Sequence, residues 1–89
     1  MKAIITVIGK DKVGIIAAVS DILAKTGANI LDINQTVMQD YFTMVTLVDI
    51  EKLSIPFSEL KGMLDALGED MGLSIRIQRE EIFTAMHRI

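Results

Sequence analysis

The sequence has no cysteine and no tryptophan, one proline, one histidine, and only three phenylalanines and one tyrosine. Without cysteine there is no disulfide framework, no thiolate metal site and no thiol nucleophile, which is compatible with a reducing compartment. His87 sits near the end of the chain beside Arg88, with no acid or nucleophile close in sequence, and reads as a surface group. No serine–histidine–acid set or nucleophile beside a base is present, so the chain offers no catalytic group. No metal site and no cofactor are expected. Basic charge is also scarce: the formal net charge is −3, which argues against a partner held by phosphate neutralisation. Long apolar runs are absent as well. Met1 to Ile8 is apolar apart from Lys2 and Thr6 but stops at Gly9-Lys10-Asp11-Lys12, too short for a secretory signal and without a clear cleavage site. Nothing approaches the ~20 apolar residues of a membrane span. The chain reads as a small cytoplasmic protein that contacts neither nucleic acid nor membrane.

What is present is a generous core for 89 residues, with 51% of the chain hydrophobic, enough for one domain. Ala3 to Ile8 is a β-rich run bounded by Gly9 and reads as a strand buried on both faces. Asp11 is placed as the N-cap of a helix over Val13 to Lys25. In that helix Ile16, Val19 and Leu23 share one face, Ile15, Ala18 and Ile22 form the neighbouring stripe, and Gly27 is the terminator. Asn29 to Ile50 lacks proline and glycine and is rich in β-branched and aromatic residues, so it reads as two strands folding back near Gln39-Asp40-Tyr41. Leu31, Ile33 and Val37 alternate with Asp32, Asn34 and Thr36. Then Phe42, Met44, Val48 and Ile50 oppose Val45 and Leu47.

Ser54-Ile55-Pro56 opens a second helix. Its stripe of Phe57, Leu60, Leu64, Leu67 and Met71 has spacings of 3, 4, 3 and 4, and Gly72 ends it. Leu73, Ile75 and Ile77 then alternate with polar residues in a last strand. The order β-α-β-β-α-β predicts an α+β, ferredoxin-like split βαβ sandwich, with two helices on one face of a four-stranded antiparallel sheet. The domain spans residues 1–79 and a short helical tail 80–89, whose Ile82, Met86 and Ile89 form an apolar stripe. With Val45 and Leu47 on the second sheet face, that stripe exceeds what a small monomer exposes. Association as a homodimer, or with a related chain, is expected.

The loop around Gly9 and Gly14 has two readings from the residues alone: a helix start packed on the sheet, or an anion site made by the amides of Val13, Gly14 and Ile15 with the helix dipole behind them. It lacks the phosphate-loop and dinucleotide glycine patterns. Asn29 after Gly27-Ala28 fits a tight strand entry held by local hydrogen bonds.

Asp11-Lys12-Val13-Gly14-Ile15-Ile16, a helix, Gly27-Ala28-Asn29-Ile30, and a strand pair containing Phe42-Thr43-Met44 together resemble an ACT domain, over roughly Met1 to Arg79. As a free-standing chain it is similar to the small ACT proteins related to the glycine cleavage system transcriptional repressor. The resemblance implies a small regulatory domain with an amino-acid effector held between the first loop and a partner subunit. The ligand-binding positions it implies are Asp11, Lys12, Val13, Gly14, Ile15 and Asn29. The family often has arginine–proline where this chain has Lys12-Val13, and asparagine where it has Asp11, an acid that favours an ammonium over a carboxylate. The function expected is therefore a non-enzymatic module that senses a small molecule, an amino acid or related metabolite, and passes its state to a regulated protein partner. The alternative is an adaptor that keeps the fold and binds protein without a ligand.

Overall fold

The computed structural model describes residues 1–10 and 14–81. Along the chain come β1 (Lys2–Lys10), α1 (Ile15–Thr26), β2 (Asn29–Met38), β3 (Tyr41–Asp49), α2 (Phe57–Met71) and β4 (Ser74–Arg79). The strands form one antiparallel sheet in the order β2-β3-β1-β4, so β1 and β3 are central and β2 is an edge. This is the βαββαβ sandwich that the alternation of strand and helix periodicities predicts. The hairpin between β2 and β3 turns at Gln39 and Asp40, with Gln39 at φ 54.

Both helices press on one sheet face. Ala3, Ile5 and Val7 of β1, Phe42, Met44 and Val48 of β3, and Ile75 and Ile77 of β4 are buried there, against Val19 and Leu23 of α1 and Leu60 and Leu64 of α2. The stripe foreseen for α2 is this one, with Phe57, Leu67 and Met71 half-buried at its margins. Arg79 closes the end of the sandwich, its guanidinium 5.0 Å from the centre of the Phe57 ring, a cation–π distance.

Four expectations are corrected. β1 is not buried on both faces: Ile4 and Thr6 are half-buried and Ile8 is 47% exposed, because both helices lie on the opposite face and no described element covers this one. α1 begins at Ile15, and its N-cap is Gly14 at φ 89. That left-handed angle cannot belong to a helical residue, so the helix starts after it and not at Val13. Asp11, expected as the cap, lies outside the described residues, as do Lys12, Val13 and the tail stripe of Ile82, Met86 and Ile89. In α1 it is Ile15, not Ile16, that joins Val19 and Leu23 in the core, Ile16 being 40% exposed. Finally, a register shift between Ile30 and Asp32 makes Leu31 an extra residue, so Ile30 rather than Leu31 shares a face with Ile33 and Val37.

One core side chain is at odds with its surroundings. Thr46 is 1% exposed and its Oγ1 has no hydrogen-bond partner among the described residues. A buried hydroxyl without a partner forfeits its hydration for nothing, at about 1–3 kcal/mol. Thr46→Val replaces it with a methyl of nearly the same volume and is expected to stabilise the fold by about 1 kcal/mol, raising Tm by roughly 4–8 °C in a domain of this size. Thermal unfolding measures this, and an unchanged or lower Tm would mean that the hydroxyl is satisfied.

Candidate functional site

The site is set by how α1 starts. Its first intrahelical hydrogen bond runs from the Ala18 amide to the Gly14 carbonyl oxygen at 2.9 Å. The amides of Ile15, Ile16 and Ala17 precede it, and the residues one turn back from them, Asp11, Lys12 and Val13, lie outside the described residues. Among the described residues no side chain caps them, and the first turn carries no acid. These amides and the positive end of the helix dipole point the same way. Gly14 supplies the left-handed turn before them, and among the described residues an added Cβ there would meet nothing within 4 Å.

They open onto a cavity of about 570 Å³, which Gly14 to Ala17 line on the helix side. On the sheet side it is lined by Gln35 and Val37 of β2 and Phe42 of β3. The register explains the grouping: Val37 pairs with Phe42 and Gln35 with Met44, so these side chains share the helix-facing side of the sheet. Phe42 is buried and forms the floor; Ile16 and Val37, at 40% and 60% exposure, are apolar groups left at the rim. Apart from the amides, Gln35 is the only polar residue among the described lining. The volume falls in the usual range for small-ligand sites.

The structure separates the residues that the sequence grouped. Gly14 and Ile15 line this cavity, Ile15 with its backbone, since its side chain is core. Asn29 stands at the opposite end of α1, which at ~1.5 Å per residue is ~18 Å long. There it lines a different hollow of about 350 Å³ with Gly27, Asp49, Glu51 and Lys52. Asp11, Lys12 and Val13 fall outside the described residues. Sequence reasoning missed Ile16, Ala17, Gln35, Val37 and Phe42. The available signal was Gln35, a polar residue in the apolar phase of β2 beside Ile33 and Val37.

The family model for the ACT domain matches residues 2–78. The chain belongs to the ACT domain family. It is 58% identical over 89 residues to a UPF0237 protein of Clostridium acetobutylicum, covering 100% of both chains. It is similar to the solved ACT domain protein from Streptococcus pneumoniae, with a TM-score of 0.81 and 47% identity over 93% of each chain. A candidate glycine cleavage system transcriptional repressor shares the fold, with a TM-score of 0.74 and 24% identity over 88% of this chain and 44% of that one. ACT domains are typically regulatory modules that bind small molecules, and they commonly dimerise.

Among the described residues no group of histidines and acids could hold a metal ion, and no helix is long and apolar enough to cross a membrane. What remains distinctive is the edge strand. All ten residues of β2 are exposed, including Ile30, Leu31, Ile33, Val37 and Met38. Among the described residues its outer edge has no strand neighbour. A long apolar edge of this kind is a template for pairing with another chain.

Proposed function

We propose that this ACT domain is a non-enzymatic cytoplasmic sensor. It binds an amino acid or related metabolite between two copies of the chain and reports occupancy to a regulated protein by a population shift. The observation that supports this reading is the start of α1, whose first residues line a ligand-sized cavity. The effector carboxylate takes their amides, and Asp11 meets its ammonium. Lys12 and Val13 complete the ligand-binding positions of this reading.

Asn29 reaches the site only from a second copy. Two β2 edges pairing antiparallel about a dyad, with the ten residues in full register, set Asn29 of each beside Met38 of the other. That is the end of β2 where Val37 lines the cavity. The same pairing sets Ile30 of one copy against Val37 of the other and covers both. The exposure of β2 and the separation of Gly14 from Asn29 both support this arrangement. The receiving protein recognises the paired form.

Titration calorimetry against the common amino acids tests the proposal. Wild type is expected to bind at least one of them, and Asp11→Ala combined with Asn29→Ala to weaken it by tenfold or more, the worth of one charge-assisted hydrogen bond. Unchanged binding in the double variant removes the site. Stable capture of a protein partner with no metabolite binding would favour the adaptor instead.

A further inference from the structure

We propose that residues 82–89 turn back across the open face of the sheet and lie as a strap along its two central strands, β1 and β3. This goes beyond the regulatory reading above and does not depend on it.

The proposal starts from how the open face divides its polar and apolar surface. The strand register lines up its side chains in rows, one residue from each strand. In one row Asp32 of β2, Leu47 of β3, Ile4 of β1 and Gln78 of β4 stand side by side. In the next row the order is Asn34, Val45, Thr6 and Arg76. Each row is polar at both ends and apolar or β-branched in the middle. The result is an apolar strip on β1 and β3 that runs on to Ile8, fenced by polar side chains on β2 and β4. Ile8 is 47% exposed and Val45 39%. From Ile4 to Ile8 the strip is ~13 Å long, and at two strand spacings it is ~10 Å wide.

That shape decides between occupants. A stable interface between two copies buries about 800 Å² per partner, and the strip offers on the order of 130 Å². A second sheet laid over it would also desolvate Asp32 and Arg76 at its margins, a cost that pairing the two across copies repays poorly. A single helix, ~10 Å across with its side chains, fits between the fences.

The chain has such a segment within reach. β4 ends with Arg79 beside Ala3, one residue from the row that holds Ile4. The backbone of Glu80 and Glu81 is already helical. Residues 82–89, which follow, lie outside the described residues and read Ile-Phe-Thr-Ala-Met-His-Arg-Ile. At helical spacing Ile82, Phe83, Met86 and Ile89 take one side, and Glu81, Thr84, His87 and Arg88 the other. From Ile82 to Ile89 the apolar side is ~11 Å long, close to the length of the strip. A helix this short does not hold by itself in water, so its apolar side and the strip stabilise each other. Covering the strip leaves the β2 edge as the surface through which copies of the chain associate.

A single reporter tests this. The chain has no tryptophan, so Met86→Trp in the full chain places one on the strap. Its emission is expected to be blue-shifted and protected from acrylamide, and to stay so on dilution. Val45→Lys or Ile8→Lys in the same background puts a charge into the strip from an exposed position. Each is expected to shift the emission to the red and abolish the protection, while circular dichroism shows the fold retained. Two positions are used so that loss of the fold in one leaves the other to decide. A red-shifted, freely quenched reporter in Met86→Trp alone overturns the proposal. So does a blue shift lost on dilution, which makes a second copy the cover, and so does protection that survives both lysines, which seats the segment elsewhere.

Discussion

Gly27→Val is expected to remove about 3–5 kcal/mol of stability and leave much of the protein unfolded at 25 °C, since a domain of this kind holds only about 5–15 kcal/mol in all. Two effects add. Gly27 ends α1 at φ 85, a left-handed conformation that disfavours any L side chain and a β-branched one most. A Cβ at this position would also lie 2.6 Å from the Lys52 carbonyl oxygen. That atom is backbone, so no rotamer change relieves the contact; the segment between β3 and α2 must move. The segment is tied down at the same place: the Ser54 amide donates to the Thr26 carbonyl oxygen at 2.8 Å and the Ser54 hydroxyl to the same oxygen at 3.1 Å. Shifting it breaks the bonds that hold the end of α1 to the start of α2. Urea denaturation read by circular dichroism gives the loss directly. A Gly27→Val protein within about 1 kcal/mol of wild type would show that this junction yields, contrary to its geometry.

Gly27 also shows what kind of information the sequence carries clearly. A glycine closing a helical stripe and followed by strand residues marks a helix end because only the backbone angle is at stake, and that is a local property. The same holds for the turn at Gln39 and Asp40 and for the stripe of α2, where spacing alone identifies Leu60 and Leu64 as core. Ile4, Thr6 and Ile8 illustrate the opposite case. Their apolar and β-branched character made β1 read as covered on both faces, but which face receives the helices depends on the path of the whole chain. The Leu31 bulge was equally hidden, since one extra residue in an edge strand alters the phase of its pattern without changing its composition.

The start of α1 was misplaced for a related reason. Asp11 is a good capping residue, and sequence preference favours it over a glycine three positions later. The helix instead begins after Gly14, whose left-handed angle sets its first turn. That departure from local preference coincides with the proposed site. Gln35, Val37 and Phe42 could not be joined to that site from the sequence, because their proximity to Gly14 arises from cross-strand register and from the seating of α1 on the sheet.

Mixing two defective variants is expected to restore binding that neither has alone. Ile16→Asp places a carboxylate at the start of α1, where the helix dipole stabilises it, so the fold is kept while the effector carboxylate is excluded. Asn29→Ala removes the group at the far end of α1. In a homodimer of either variant both sites are damaged, and affinity is expected to fall by tenfold or more. In a mixed dimer the two faults segregate. One site combines the unaltered α1 start of the Asn29→Ala chain with the unaltered Asn29 of the Ile16→Asp chain, and is wild type. The other site carries both faults. Random pairing makes half of the dimers mixed, so about a quarter of all sites should bind with wild-type affinity. Co-expression of the two variants under different tags, followed by calorimetry on the doubly purified dimer, raises that fraction to about half. A site contained within one protomer predicts no recovery, because every chain in the mixture carries one fault. Recovery thus depends on a dyad that joins the two ends of α1, the one arrangement that brings Gly14 and Asn29 together when each chain holds them ~18 Å apart.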